Sequence, residues 1–277
     1  DVDNNVLKRG VSDLAKKKIK ANGYTDLRKM LEDKDLDVVT VATPNHWHSL
    51  AAIWAIQAGK DVYVEKPVSH NVWEGRQVVN AARKYRKIVQ TGTQSRSSLA
   101  IQKAVEWVHA GNLGKVKISR GLCYKLRGSI GKTNGPHAVP AHVNYDLWCG
   151  PAPLEPPTRN SRSFGPIHYD WHWMWAYGNG DLGNQGIHQM DIARWFLGEQ
   201  RLSPEVWSVG GRVGYVDDAE TPNTQIVYHS YGDSKLIFEV RGLPASAKDR
   251  KRPQFMGAEI GVVVHCEEGH VLVSNSR

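Results

Sequence analysis

Two rhythms of apolar and polar residues run through the first hundred positions. Residues 4–22 have the spacing of an amphipathic helix closed at Asn22-Gly23, where glycine can turn left-handed. Residues 26–34 put Leu27, Met30 and Leu31 on one face of a shorter helix. The run 36–42 is β-branched and stops at Thr43-Pro44-Asn45, which predicts a parallel strand buried on both faces. A helix over 46–58 halts at Gly59, a strand follows at 61–64, then a helix at 72–85 and a strand at 87–91. Strand, helix and strand at this spacing predict βαβ units and a mostly parallel sheet covered by helices.

The rhythm changes after a further helix over 98–110. Residues 115–124 alternate like a strand, 128–140 form a loop rich in glycine, proline and polar residues, and 151–157 are proline-rich and irregular. A helix is expected over 184–197, stopped by Gly198. Strand-like runs at 206–213, 224–230, 235–240 and 258–264 predict an antiparallel sheet. The expected domains are 1–114 and 115–277, with truncation at the end of the second left open.

Composition narrows the function classes. The 277 residues carry 36 basic and 28 acidic side chains, a formal charge of +8. The densest basic cluster, Lys16 to Lys18 with Lys20, lies on a helical stretch as a solvated face, and no nucleic-acid-binding motif accompanies it. Neither nucleic acid nor a membrane is therefore expected as a partner, and no stretch approaches the ~18 continuous apolar residues of a spanning helix. Cys123, Cys149 and Cys266 are too few and too scattered for a disulfide framework or zinc ribbon.

Three segments carry candidate chemistry. Open parallel sheets bind ligands at the carboxyl ends of their strands, and Thr43 to His48 and Glu65-Lys66-Pro67 stand at two such ends. A lysine there is either a partly desolvated proton-transfer group or a strand-end side chain reaching water. Gly178, Gly180 and Gly183 precede Asn184, His188 and Asp191, which fall at i, i+4 and i+7 on an otherwise apolar helix face. Buried polar groups need partners, so this stripe points to a site. In 168–175, histidines and tryptophans alternate; stacking on a sugar ring suits them better than zinc, and packing explains the tryptophans equally well.

Thr43-Pro44-Asn45 with His48, Glu65-Lys66-Pro67, and Gly186-Ile187-His188-Gln189-Met190-Asp191 together resemble the glucose–fructose oxidoreductase/inositol dehydrogenase (Gfo/Idh/MocA) superfamily. The runs 145–153 and 177–186 look like its bacterial tryptophan-rich branch. The resemblance covers nearly the whole chain and implies a Rossmann (doubly wound parallel) domain, followed by an α+β domain with an open, largely antiparallel sheet. It implies hydride transfer between NAD or NADP and a secondary alcohol of a sugar, cyclitol or related polyol, in a homo-oligomer. Lys66 and His188 inherit the catalytic roles. Asp1, Thr43, Pro44, Asn45, His48, Glu65, Lys66 and Gln94 inherit the cofactor. Lys66, Arg96, Trp171, Asn184, His188 and Asp191 inherit the substrate, and no metal is implied.

Two departures from the family pattern stand out. Many relatives have aspartate where this chain has Asn184, which can orient a hydroxyl but cannot take its proton. No G-x-G-x-x-G turn follows a first strand either, because Asp1 matches the end of the second Rossmann strand. The Rossmann domain is thus expected to be incomplete, and this fragment to bind dinucleotide poorly and be inactive. Asp1 favours NAD over NADP. A glycosidase working through transient oxidation and a non-catalytic ligand-binding protein are the alternatives.

Overall fold

The structure, a computed structural model, describes every residue except 159, 162–164, 167, 247, 249 and 275–277. Its contacts divide the chain into two units. The first holds Asp1–Gly92, Thr133–His172 and Ala176–Gly178; the second holds Thr93–Lys132, Trp173–Trp175 and Asn179–Arg277. The first division between these units falls after Gly92, and part of the later chain returns to the first unit.

In the first unit, α1 (Asn4–Lys16), α2 (Leu27–Leu31), β1 (Val38–Val41), α3 (Asn45–Gln57), β2 (Asp61–Val64), α4 (Val72–Tyr85) and β3 (Val89–Thr91) follow one another. The strands form a parallel sheet in the order β1-β2-β3. Its core joins Val39, Val41, Val62 and Val64 to Ala52, Ala55 and Ile56 of α3. Only one face of β1 is covered: Val39 and Val41 are buried, whereas Val38 is 57% exposed. The expectation of burial on both faces is corrected here, because α1 buries none of its residues against the sheet. Helix α1 also stops earlier than its pattern suggests, with Lys18 already left-handed at φ 61°.

Helix α3 organises this unit. Asn45, His46, His48 and Ser49 are polar yet buried at its start. His46 Nε2 lies 3.0 Å from the Trp148 carbonyl oxygen. His48 spans two loops, with Nδ1 2.6 Å from the Pro67 carbonyl and Nε2 2.8 Å from that of Thr43. The Ser49 hydroxyl donates to the Val68 carbonyl. Around His46 gather Trp148 and Tyr177, and Tyr145 stacks on Trp148 from the short helix α6 (Tyr145–Cys149).

Asp3, only 3% exposed, caps α1 through the Asn5 and Val6 amides, and His168 Nε2 stands 2.9 Å from its other oxygen. Burial raises the Asp3 pKa, but the His168 bond and the cap amides outweigh it and hold it below its ordinary 3.8.

The second unit begins with α5 (Leu99–His109) and β4 (Val116–Cys123) and continues with α7 (Ile187–Leu197). Its later strands are β5 (Glu205–Gly211), β6 (Thr224–Tyr231), β7 (Ser234–Arg241), β8 (Ile260–Cys266) and β9 (His270–Ser274). They form one sheet in the order β9-β8-β4-β7-β6-β5, antiparallel except for the parallel pair β4 and β7. The predicted open, largely antiparallel sheet is therefore present. One face is sealed by Val105 and Val108 of α5 and Ile192 and Phe196 of α7 on Val227, Phe238 and Val262. That packing places α5 with the second unit.

Burial drives the His46 pKa down to about 4 from 6.5, and burial likewise depresses His48 below its ordinary value. Both rings are neutral in the folded chain and charged in the unfolded chain just below pH 6.5, so the unfolded state takes up the extra protons. The stabilisation from His46 is complete above pH 6.5 and is lost as pH falls towards about 4, and His48 acts in the same direction. His46 alone contributes about 3 kcal/mol across that window. Urea melts followed by tryptophan fluorescence at stepped pH are expected to show this loss, with that from Asp3 confined to more acidic pH.

Candidate active site

In the first unit, the predicted cofactor residues Thr43 and Pro44 follow β1, Glu65 and Lys66 follow β2, Asn45 and His48 lie in α3, and Asp1 precedes α1. A cavity of about 700 Å³ opens beyond the end of β1, with Asp1, Thr43, Pro44, Trp47 and Trp171 among its lining residues. Three predicted cofactor residues and one predicted substrate residue thus share one wall. The Asp1 carboxylate accepts from the Asp3 amide, and the Trp171 ring stacks on His172 at 3.7 Å. Asn45 and His48 stand behind this wall in α3 and are buried, so His48 positions Thr43 and Pro67 from within.

Past the end of β2, Glu65 and Lys66 are half-buried and Pro67 follows through a cis peptide bond. The Glu65 carboxylate accepts from the Lys66 amide at 3.2 Å and fills the space beside Gly92, where a Cβ would meet it at 2.8 Å. A side chain at position 92 would have to push the Glu65 carboxylate aside.

In the second unit, the predicted helix over 184–197 starts differently. A π-helical turn, Leu182–Gly186, runs into α7. His188 is buried on its first turn, with Asn184 half-buried in the π-turn itself. Close approach to the sheet explains the glycines: a Cβ on Gly186 would lie 2.4 Å from the Phe238 ring, and one on Gly121 would lie 2.6 Å from it. The spacing G-x-G-x-x-G occurs at Gly178–Gly183, but it leads into this π-turn with no strand before it, unlike a dinucleotide turn.

Arg96 and Asp191, both predicted to meet substrate, bind each other. Arg96 Nε and Nη2 reach the two Asp191 oxygens at 2.6 and 2.9 Å, and the guanidinium lies 4.7 Å from the Trp195 ring. Gln94 lies in the same segment, exposed, in a tight turn.

Sequence reasoning missed a second ion pair. Arg127 grips Asp181, the residue that opens the π-turn, at 2.6 Å, with its guanidinium 4.8 Å from the Trp173 ring. The side chains of Arg127 and Asp181 are 13% and 2% exposed. No local signal marked the pair, since the stretch around Asp181 is glycine-rich and polar and Arg127 lies 54 residues earlier.

The first comparison with known proteins is with family models. The model described as "Oxidoreductase family, NAD-binding Rossmann fold" matches residues 6–93, and the model described as "Oxidoreductase family, C-terminal alpha/beta domain" matches residues 95–259. The chain belongs to the Gfo/Idh/MocA oxidoreductase family.

Levoglucosan dehydrogenase of Pseudarthrobacter phenanthrenivorans is 26% identical over 64% of this chain and 37% of its own length. Myo-inositol 2-dehydrogenase of Thermotoga maritima is 28% identical over 71% of this chain and 48% of its own. The matched region thus spans about a third to a half of these relatives. Among solved structures, levoglucosan dehydrogenase in complex with NADH and levoglucosan superposes with a TM-score of 0.71 at 20% identity, over 100% of this chain and 63% of that one. The WlbA dehydrogenase from Bordetella pertussis, in complex with NADH and UDP-GlcNAcA, gives 0.70 at 19%, over 99% and 69%. These structures share the fold.

Removing Arg127 leaves the Asp181 charge buried without its partner. Arg127→Ala is expected to cost about 3–5 kcal/mol in urea unfolding. Replacing both partners, Arg127→Met with Asp181→Leu, is expected to recover most of that loss.

Proposed function

We propose that the protein is an NAD(P)-dependent oxidoreductase of a secondary alcohol on a sugar, cyclitol or related polyol. One observation carries the reading: a buried His188 on the first turn of α7, directly after a glycine-backed π-turn. Such turns cluster at functional sites. The levoglucosan and inositol dehydrogenases among its relatives support the substrate class.

The nicotinamide, when bound, supplies the hydride acceptor or donor. The chain supplies the rest. In this reading His188 is the group that moves the hydroxyl proton, and Lys66 is a hydrogen-bond donor for developing negative charge. Asn184 orients the hydroxyl through its amide, with Asp191 and Arg96 beside it. The cavity residues Asp1, Thr43, Pro44 and Trp171 fit a ligand at the end of β1, with its chemistry of acid, hydroxyl and aromatic ring. Asn45, His48, Glu65 and Gln94 complete the proposed cofactor set. The Asp1 carboxylate accepts from ribose hydroxyls and disfavours a 2′-phosphate, so the cofactor in this reading is NAD.

The reading includes a homo-oligomer. The uncovered face of the second sheet carries Trp207, Val209 and Ile226 at 55%, 65% and 44% exposure, apolar area that a second copy would bury. Light scattering that gives a monomer at micromolar concentration removes this part of the reading.

Lys66→Ala tests the chemistry. In a chain that carries the complete Rossmann domain, turnover with a polyol panel is expected to fall by about 10²-fold or more, while NADH binding followed by fluorescence is retained. Unchanged turnover removes Lys66 from the mechanism. Release of free sugar from glycosides without net NADH formation favours glycoside cleavage instead.

A further inference from the structure

Two residues beyond the end of β4, Lys125 extends beside the π-turn. Its Nζ lies 3.3 Å from Oε1 of Gln185, the residue between Asn184 and Gly186. The lysine is half-buried, and among the described residues no carboxylate pairs with it. Burial lowers its pKa, and the nearby Arg127 adds to that.

The surrounding charges explain why this matters. Arg127 is neutralised by Asp181 at 2.6 Å, and Arg252 by Glu259 at 3.0 Å. Among the described residues Lys125 forms no ion pair, its hydrogen-bond acceptor being a neutral amide oxygen, and the nearby Asp181 is already engaged by Arg127. A half-desolvated ammonium that already donates to a neutral amide oxygen gains further from an anionic acceptor, because the attraction of opposite charges adds to the hydrogen bond. One unmatched positive charge fits one negative charge, a carboxylate rather than a phosphate dianion.

We propose that Lys125 binds a carboxylate on the substrate, making this protein selective for acidic sugars or polyols over neutral ones. The proposal rests on the sugar-alcohol reading above and goes beyond it in naming the acidic group. Gln185 holds the lysine in place until the carboxylate displaces its amide oxygen.

The test compares D-glucuronate with D-glucuronamide, which differ in charge and hardly in shape, with D-glucose as a neutral control, by calorimetric titration of the protein. Glucuronate is expected to bind about tenfold tighter than the amide. In Lys125→Met that ratio is expected to fall to about one, while affinity for the amide changes less than about twofold. Lys125→Gln, which can still hydrogen-bond Gln185, is expected to behave like the methionine variant, and decides the matter if Lys125→Met unfolds. Equal binding of all three sugars overturns the proposal but leaves the sugar-alcohol reading standing. A preference that survives both substitutions overturns it as well. Binding of none of the three overturns both.

Discussion

Buried imidazoles at the start of α3 set the geometry of the first unit. An uncharged ring in an apolar interior must find acceptors or donors, and here they are backbone carbonyls from loops far apart in sequence. His48 stands between the Thr43 and Pro67 carbonyls, and His46 reaches that of Trp148. A neutral imidazole carries one N–H, so His48 serves one of its two carbonyls at a time. Protonation would satisfy both, yet burial outweighs that gain and keeps the pKa low. The loops after β1 and β2, where Thr43 and Lys66 lie, are thus tied to one helix from its buried side. Beyond the end of β1 the Thr43 side lines the cavity of about 700 Å³.

The second unit solves a related problem with glycine. A π-helical turn places a wider ring of backbone near the sheet than an α-turn does. Gly186 and Gly121 remove the Cβ atoms that would collide with Phe238, and the turn settles onto that ring. Asp181 then anchors the start of the turn through Arg127. Packing and electrostatics agree on one position for the segment that leads to His188.

Much of this was legible in the sequence where local signals agreed with tertiary packing. The strand at 61–64 and the helix at 72–85 match their predicted bounds, because Gly59 and the Asn71 cap set the edges and valines fill one face. The helix expected to end at Asn22-Gly23 ends at Lys16, since nothing buries its last turns and helices without tertiary contacts fray. Helix α6 and strand β9 were too short or too polar to stand out. Chain segments 133–172 and 176–178 join the first unit through carbonyl acceptors such as that of Trp148, and side-chain patterning is blind to backbone acceptors.

The candidate site shows the same division more sharply. The three-residue step from His188 to Asp191 lies within α7, where α-helical spacing holds, so their shared face could be read directly. Asn184 lies in the π-turn, whose i→i+5 bonds break that spacing, so its relation to His188 is a matter of the turn and not of the pattern. Arg96 met Asp191 because a half-buried acid draws the nearest cation, a pairing that follows from charge once the fold is known and from no motif before it. By the same reasoning the +8 excess means little as a total. What matters is which cations are already neutralised: Arg96, Arg127 and Arg252 have their carboxylates, and Lys125, half-buried beside the π-turn, does not.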